Sequence, residues 1–279
     1  MEISAKDIAG YLELLKTGLG YSVTLHGSFS GIHDLVRFNF HLNPYCIYVK
    51  NVLGCASVCE GKQRSVLKSC AKSPFFGVCY AGVGEFVYPI TANGSTCGFI
   101  CVSGYRGLDE TMALEKTMHF IKKYGAPKKA TLLSRQQNLS SNIPRRCDVD
   151  AAVKPLQIML ESYIENVDAQ FGHDDNLYRR LLLYIIENRH RTVLMSDVAK
   201  EFHCSVSTLS HLFKKESGQS ICEYITALRL KEAHWLLRQS TLSVTEISDS
   251  LGFCNSAYFS KVFKNAFKLS PTQLRKQHN

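Results

Sequence analysis

The chain has 279 residues, enough for two domains. Its composition, 45% hydrophobic and 20% charged, is that of an ordinary globular protein rather than a disordered or low-complexity one. No apolar run approaches the ~20 residues that span a bilayer. Glu2, Asp7 and Glu13 interrupt any apolar core that a secretion signal would need, so a cytoplasmic location without membrane contact is expected. The net charge is +9, and residues 173–279 hold 15 basic against 10 acidic side chains. That balance suits a polyanion partner and equally suits a lysine-rich solvated surface.

The 11 cysteines are unevenly placed, seven of them before residue 125. In a cytoplasmic setting they are thiols, metal ligands or redox groups rather than a disulfide framework. In chain order, Ile8–Leu15 reads as a helix, Tyr21–Leu25 as a strand and Gly54–Ala71 as a helix. Phe75–Ala81, Glu85–Ala92 and Thr96–Ser103 read as strands, and Asp109–Tyr124 as a helix. Asn93-Gly94 offers a type I′ hairpin turn, because both residues tolerate positive φ. Antiparallel strands with helices on one side give an α+β domain over 1–125.

Residues 126–150, polar and carrying Pro127 and Pro144, read as a linker. A helix over about 150–170 follows, with Val153, Leu156, Leu160, Tyr163 and Val167 at alternating spacings of three and four. That seam serves either packing within its own domain or a homodimer. The expected division is therefore 1–125, a connecting segment 126–172, and an all-helical domain 173–279.

The last segment reads as consecutive short helices. Leu177–Asn188 is apolar on one face, and Ser196 is expected to cap a helix to Phe202. Ser205 caps the next, Val206–Glu216, which stops near Gly218. Two short helices around a tight turn form a helix-turn-helix pattern, whose second helix can enter a major groove. On that helix Leu209, Leu212 and Phe213 share the core face, while Ser207, Ser210, His211 and Lys214 point away. The pattern repeats. Ser243 and Glu246 form a capping box, Gly252 ends the helix, and Asn255 caps Ser256–Ala266. There Phe259, Val262 and Phe263 face the core, and Ala257, Ser260, Lys261 and Lys264 face outward beside Ser256. A helix over about 220–238 joins the two motifs; its length of roughly 28 Å approaches the ~34 Å between successive major grooves on one face of B-DNA.

Ser243-Val-Thr-Glu-Ile-Ser, Leu251-Gly-Phe, Tyr258-Phe-Ser-Lys-Val-Phe-Lys and Ser270-Pro, with the Leu209–Gly218 stretch and Arg229-Leu-x-x-Ala233 upstream, resemble the signature of AraC/XylS transcription regulators. The resemblance covers about 175–279. It implies two DNA-binding motifs joined by a long helix, with base-facing residues at Ser207, Ser210, His211, Ser256, Ala257 and Lys261. The first recognition helix carries no outward Arg, Gln or Asn, so direct readout there is modest. Double-stranded DNA is the expected partner, with RNA polymerase a further one.

Residues 5–110 are similar to the PocR-type sensory domain of bacterial signalling proteins. The similarity rests on Asn43-Pro-Tyr-Cys46, Cys59, Cys79-Tyr-Ala-Gly-Val, Pro89-Ile, Gly98 and Ser103-Gly104. It implies a PAS-like fold that senses diols or other simple hydrocarbon derivatives. Tyr80 stands where that family often has histidine. Cys46, Cys59 and Cys79, with Tyr45, Tyr80 and Tyr88, are expected to line one effector cavity.

Cys55 and Cys59, four apart on a helix, place their Cβ atoms roughly 6 Å apart. With Cys46 and Cys79 they would supply four thiolates to zinc or an iron–sulfur cluster, although the ligand-sensing reading needs no cofactor. Cys97 and Cys101, about 13 Å apart along a strand, read as core. No GxGxxG, Walker A, HExxH or GxSxG occurs, and His26, His33 and His41 read as structural, so no enzyme is expected. The whole reads as a ligand-responsive transcription regulator, activator-like in its family. A thiol- or metal-sensing regulator and an enzyme fused to a DNA-binding module are the alternatives.

Overall fold

The computed structural model describes residues 2–277, apart from 28, 30, 33, 34, 36, 37, 40, 42, 125–128, 172–176, 191, 192 and 241. His33 lies outside the described residues. The chain divides into two compact units, Met1–Gly172 and His173–Asn279.

The first unit opens with α1 (Ala5–Leu19). A capping box between Ser4 and Asp7 starts it and Gly20, at φ 69°, ends it. Four strands follow, β1 (Ser22–Gly27), β2 (Phe75–Val78), β3 (Gly84–Ala92) and β4 (Ser95–Tyr105), in an antiparallel sheet of order β1-β4-β3-β2. Asn93 and Gly94 both have positive φ, 51° and 73°, so the β3–β4 hairpin turns where the sequence predicts.

The register sorts side chains onto two faces. Thr24 pairs with Cys101, Cys101 with Val87, Ser103 with Glu85, and His26 with Phe99. Directly paired residues share a face, so these project to one side. Val23, Leu25, Ile100, Val102, Phe86 and Tyr88 alternate onto the other. The apolar face is covered by α6 (Arg146–Phe171), with α1 beside it. The opposite side carries α2 (Pro44–Ile47), which continues into a π-helical turn at Tyr48–Val52, α3 (Ala56–Cys70) and α4 (Glu110–Tyr124).

Two expectations are corrected here. The stretch read as a linker holds α5 (Lys129–Gln137), whose Leu132 is buried in the same cluster as Tyr45 and Phe120. Arg106 ties the following turn down by donating Nε–H to Leu139 O. The Val153–Val167 seam of α6 packs inside the first unit, with Val153, Leu156 and Leu160 fully covered, Tyr163 buried and Val167 half-buried. Tyr88 donates to Asp150 at 2.7 Å, Gln157 to Pro89 O at 2.8 Å and Tyr11 to Ala152 O at 2.9 Å, which fix α6 on the sheet and α1. The apolar stripe is thus consumed by intramolecular packing, and the homodimer reading of it loses its surface.

The second unit comprises α7 (Leu177–Asn188), α8 (Met195–Glu201), α9 (Val206–Ser217), α10 (Ile221–Gln239), α11 (Val244–Ser250), α12 (Ser256–Phe267) and α13 (Pro271–Lys276). Capping boxes start α10 at Ser220/Glu223, α11 at Ser243/Glu246 and α13 at Ser270/Gln273. Each such cap stabilises by about 1 kcal/mol. Ser196 is not a cap: α8 begins one residue earlier, from Leu194 without a side-chain bond, and Ser196 lies inside the helix. The core includes Leu209 and Phe213 on α9 and Phe259 and Phe263 on α12, all fully buried, and Leu228, Leu236 and Leu237 of α10 are buried as well. Leu212 and Val262, expected on the same core faces, are only half-buried.

Candidate functional site

The second helices of the two motifs are α9 and α12. Ser205 starts α9 by accepting from Thr208 N, and Gly218, at φ 76°, stops it. Asn255 starts α12 by accepting from Tyr258 N at 2.7 Å. Burying Leu209 and Phe213 on α9, and Phe259 and Phe263 on α12, fixes the rotation of each helix. Ser207, Ser210, His211 and Lys214 are therefore exposed together on α9. On α12, Ala257, Lys261 and Lys264 are exposed, while Ser256 and Ser260 are half-buried. Asn255 is exposed, its side-chain carbonyl accepting in the cap and its amide donating to Cys254 Sγ at 3.7 Å. Small hydroxyls with lysines behind them allow close approach to base edges and neutralisation of phosphates.

Arg229, midway along α10, ties the end of α7 to the turn of the second motif. Its Nε–H donates to Arg189 O and its Nη1–H to Gly252 O, both at 2.6 Å, and its guanidinium lies 5.8 Å from the Phe253 ring centroid. One turn on, Glu232 accepts from His190 Nε2 at 2.6 Å. Gly252, at φ 75°, sits so close to this junction that a Cβ there would lie 2.5 Å from His190 O.

In the first unit a cavity of about 740 Å³ lies over the polar face of the sheet. Tyr45, Cys46, Cys59, Cys79 and Tyr80 all line it, coming from α2, α3 and the turn after β2. Burial pushes the Cys46 thiol up to about 12, partly offset by Lys50. Burial, and then Glu85, push Cys79 well above the ordinary thiol range. Both are thiols, not thiolates, at neutral pH. Tyr45 donates to Ala81 O at 2.6 Å, so it acts as a wall with its hydroxyl engaged. The Tyr80 hydroxyl is buried with no hydrogen-bond partner among the described residues, an unmet polar group in the cavity lining.

Tyr88 does not reach the cavity. Strand alternation puts it on the α6 face, where it meets Asp150. Cys55 also misses it. It precedes α3 instead of sharing a helical face with Cys59, its Sγ donates to Leu53 O, and it packs with Tyr45 and Tyr48. The four-thiolate set of Cys46, Cys55, Cys59 and Cys79 is thus not assembled around one point. Cys101, read as core, lines the cavity, whereas Cys97 donates to Ile90 O and does not.

Sequence reading missed His26, His41 and Glu85, which also line the cavity. Burial, Lys50 and His26 hold the His41 imidazole well below its usual pKa. Burial raises the Glu85 carboxyl to about 7 against the pull of Lys50 and a Cys101 hydrogen bond. The available signal was the alternation Ser22-x-Thr24-x-His26 on β1, whose first two members lie opposite Ser103 and Cys101 on β4, a polar stripe on strands otherwise apolar.

A family profile described as a helix-turn-helix domain matches residues 198–277, from within α8 to the end of α13. These residues are an AraC-type helix-turn-helix domain. The chain is 43% identical over 94 residues to the Msm operon regulatory protein of Streptococcus mutans, a match covering 33% of this chain and 34% of that protein. The chain thus spans about a third of that relative's length. The regulatory protein PocR of Salmonella typhimurium is 24% identical over 285 residues, covering 94% of this chain and 90% of that one. Among solved structures, the C-terminal domain of AraT, a response regulator from Geobacillus stearothermophilus, is 31% identical with a TM-score of 0.35, covering 37% of this chain and 86% of that chain. Within the AraC-type domain, the Arg229-Leu-x-x-Ala233 signature has a physical basis. Arg229 bridges two backbone carbonyls and Ala233 is fully buried. No helix among the described residues is long and apolar enough to cross a membrane.

Proposed function

We propose that the chain is a ligand-responsive bacterial transcription regulator of the cytoplasm, whose first unit is a PAS-like sensor and whose AraC-type domain binds double-stranded DNA. One observation carries the reading. An AraC-type domain with two exposed polar helix faces shares a chain with a cavity of about 740 Å³, lined by apolar side chains and a few convergent polar groups. Ser207, Ser210, His211 and Lys214 on α9, and Asn255, Ser256, Ala257, Ser260, Lys261 and Lys264 on α12, would face the DNA. The named relatives are regulatory proteins, which supports a regulatory rather than an enzymatic role.

The effector class we propose is supported by the chemistry of the cavity and by the resemblance of residues 5–110 to PocR-type sensory domains. Protonated thiols, tyrosine rings and an unmet Tyr80 hydroxyl suit a small neutral hydroxylated hydrocarbon such as a short-chain diol. An effector changes DNA affinity only by as much as it prefers the DNA-competent state, and DNA changes effector affinity by the same factor. The experiment is a fluorescence anisotropy titration of the full chain against labelled operator duplex, with and without saturating short-chain diol. A shift in Kd of about 5–150-fold is expected, diminished in Tyr80→Phe. Identical titrations across a panel of diols and related alcohols would contradict the effector assignment.

A further inference from the structure

Inside the cavity, one cluster has a chemistry that ligand lining does not require. His26 Nε2 and His41 Nε2 lie 2.9 Å apart, and Thr24 Oγ1 is 3.1 Å from the first and 3.4 Å from the second. The Cys101 Sγ joins them, with all three ligand atoms within 4.8 Å of one another. His26 and Cys101 are almost wholly buried. Among the described residues this is the compact set of three metal-type donors.

The fold assembles it from two independent features. Thr24 and His26 are two apart on β1, and Thr24 pairs directly with Cys101 on β4, so the sheet register sets one imidazole beside the thiol. His41 arrives from the segment before α2 and is oriented from behind: its Nδ1 lies 3.1 Å from Ser103 Oγ. His26 has the equivalent support, its Nδ1 lying 3.2 Å from the Gln63 side-chain amide. Both imidazoles thus use their outer nitrogens on a polar partner and aim their inner nitrogens at one point. Supporting the outer nitrogen in this way fixes tautomer and ring direction at metal sites.

We infer that His26 Nε2, His41 Nε2 and Cys101 Sγ form a binding site for one zinc-type divalent ion, with a fourth coordination position open to the cavity. Two imidazoles and a thiolate are a borderline-soft donor set that selects zinc over magnesium or calcium. Three protein ligands with an open position is the arrangement of zinc sites that receive a further ligand, in contrast to closed structural sites. In a tetrahedral zinc site the donor atoms are separated by roughly 3.3–3.7 Å, so the imidazoles need only part slightly while the thiol closes in. Metal binding displaces the Cys101 proton: the S–H bond breaks, the sulfur pair forms the metal bond, and Glu85, hydrogen-bonded to that thiol, or solvent takes the proton. On the His26 side, the Gln63 amide turns its carbonyl oxygen to the Nδ1–H that the metal-bound tautomer requires. The site differs from a Cys46/Cys55/Cys59/Cys79 centre in every ligand.

The inference is read on the protein without DNA or effector, so it stands or fails apart from the regulatory reading. The full chain is purified anaerobically without chelator and analysed for zinc, then stripped and titrated with Co(II). About one zinc per chain is expected, together with a Co(II) spectrum showing both thiolate charge transfer and intense four-coordinate d–d bands. Zinc should fall below about 0.1 per chain in His41→Ala and in Cys101→Ala, with near-UV circular dichroism checking the fold, and persist in Cys97→Ala. Ser103→Ala should weaken zinc about 10–100-fold through the orientation of His41. If the ligand variants fail to fold, the cobalt spectrum of the native chain still decides. A chain that binds no cobalt at one equivalent, or binds it without a thiolate band, overturns the site. So does zinc that survives Cys101→Ala but is lost in Cys46→Ala.

Discussion

Replacing Arg229 by alanine removes the guanidinium that joins the end of α7 to the turn of the second motif. Two charge-assisted hydrogen bonds disappear, to Arg189 O and to Gly252 O, each 2.6 Å long, with the contact over Phe253. Hydrogen bonds to charged groups contribute about 1.5–3 kcal/mol each. Water that reaches the freed carbonyls recovers part of that, which leaves a loss of about 3 kcal/mol. For a unit of this size that corresponds to a fall of roughly 12–24 °C in its melting midpoint. The chain contains one tryptophan, Trp235, on α10, so its fluorescence reports the melting of the second unit within the intact protein. Arg229→Lys should fall between the two, because one ammonium cannot reach both carbonyls with the geometry of the guanidinium fork. A midpoint for Arg229→Ala within about 2 °C of the native value would refute the bridging role. So would a drop equalled in full by the lysine variant.

Gly252→Ala should cost about 1–3 kcal/mol in the same melt, since positive φ is joined there by a clash with His190 O. Gly218→Ala, at nearly the same φ but with nothing within 4 Å, should cost less, and equal losses would discount the clash. Leu160→Glu places a charge in the fully buried α6–sheet interface, so it should unfold the first unit by near-UV circular dichroism. A well-folded Leu160→Glu chain that merely halves its sedimenting mass would instead restore the dimer reading. Lys261→Ala should weaken operator binding by about 1–3 kcal/mol if the lysine reads a base, and alike across sequences if it touches phosphate. Unchanged gel-shift affinity with an intact fold removes Lys261 from the interface.

What the sequence made legible was local. Ser205, Ser243 and Asn255 cap because their side chains bond backbone three residues on, and Asn93-Gly94 turns because both residues accept positive φ. The outward faces of α9 and α12 followed from burying Leu209, Phe213, Phe259 and Phe263, a matter of helical period alone. What was missed depends on distant partners. The α6 stripe has the same spacing whether it meets a second chain or β3, and only the apolar sheet face decides. Tyr88 sits one alternation from the cavity, and a chain position near Cys79 carries no information about which face it takes. His26 and His41 meet from positions 15 apart in the chain, and Cys101 joins them only through the β1–β4 register. Arg229 belonged to a recognised signature, yet its bridging of Arg189 and Gly252 needed the packing of three helices.

The central claim is that one chain places α9 and α12 in successive major grooves. The most direct measurement is selection of binding sites by the full chain from a random duplex pool, followed by sequencing. Two short conserved blocks about 10 base pairs apart, centre to centre, are expected. The block assigned to α12 should relax in Lys261→Ala, and that assigned to α9 in His211→Ala. A single enriched block, or two blocks that ignore both substitutions, would contradict the account.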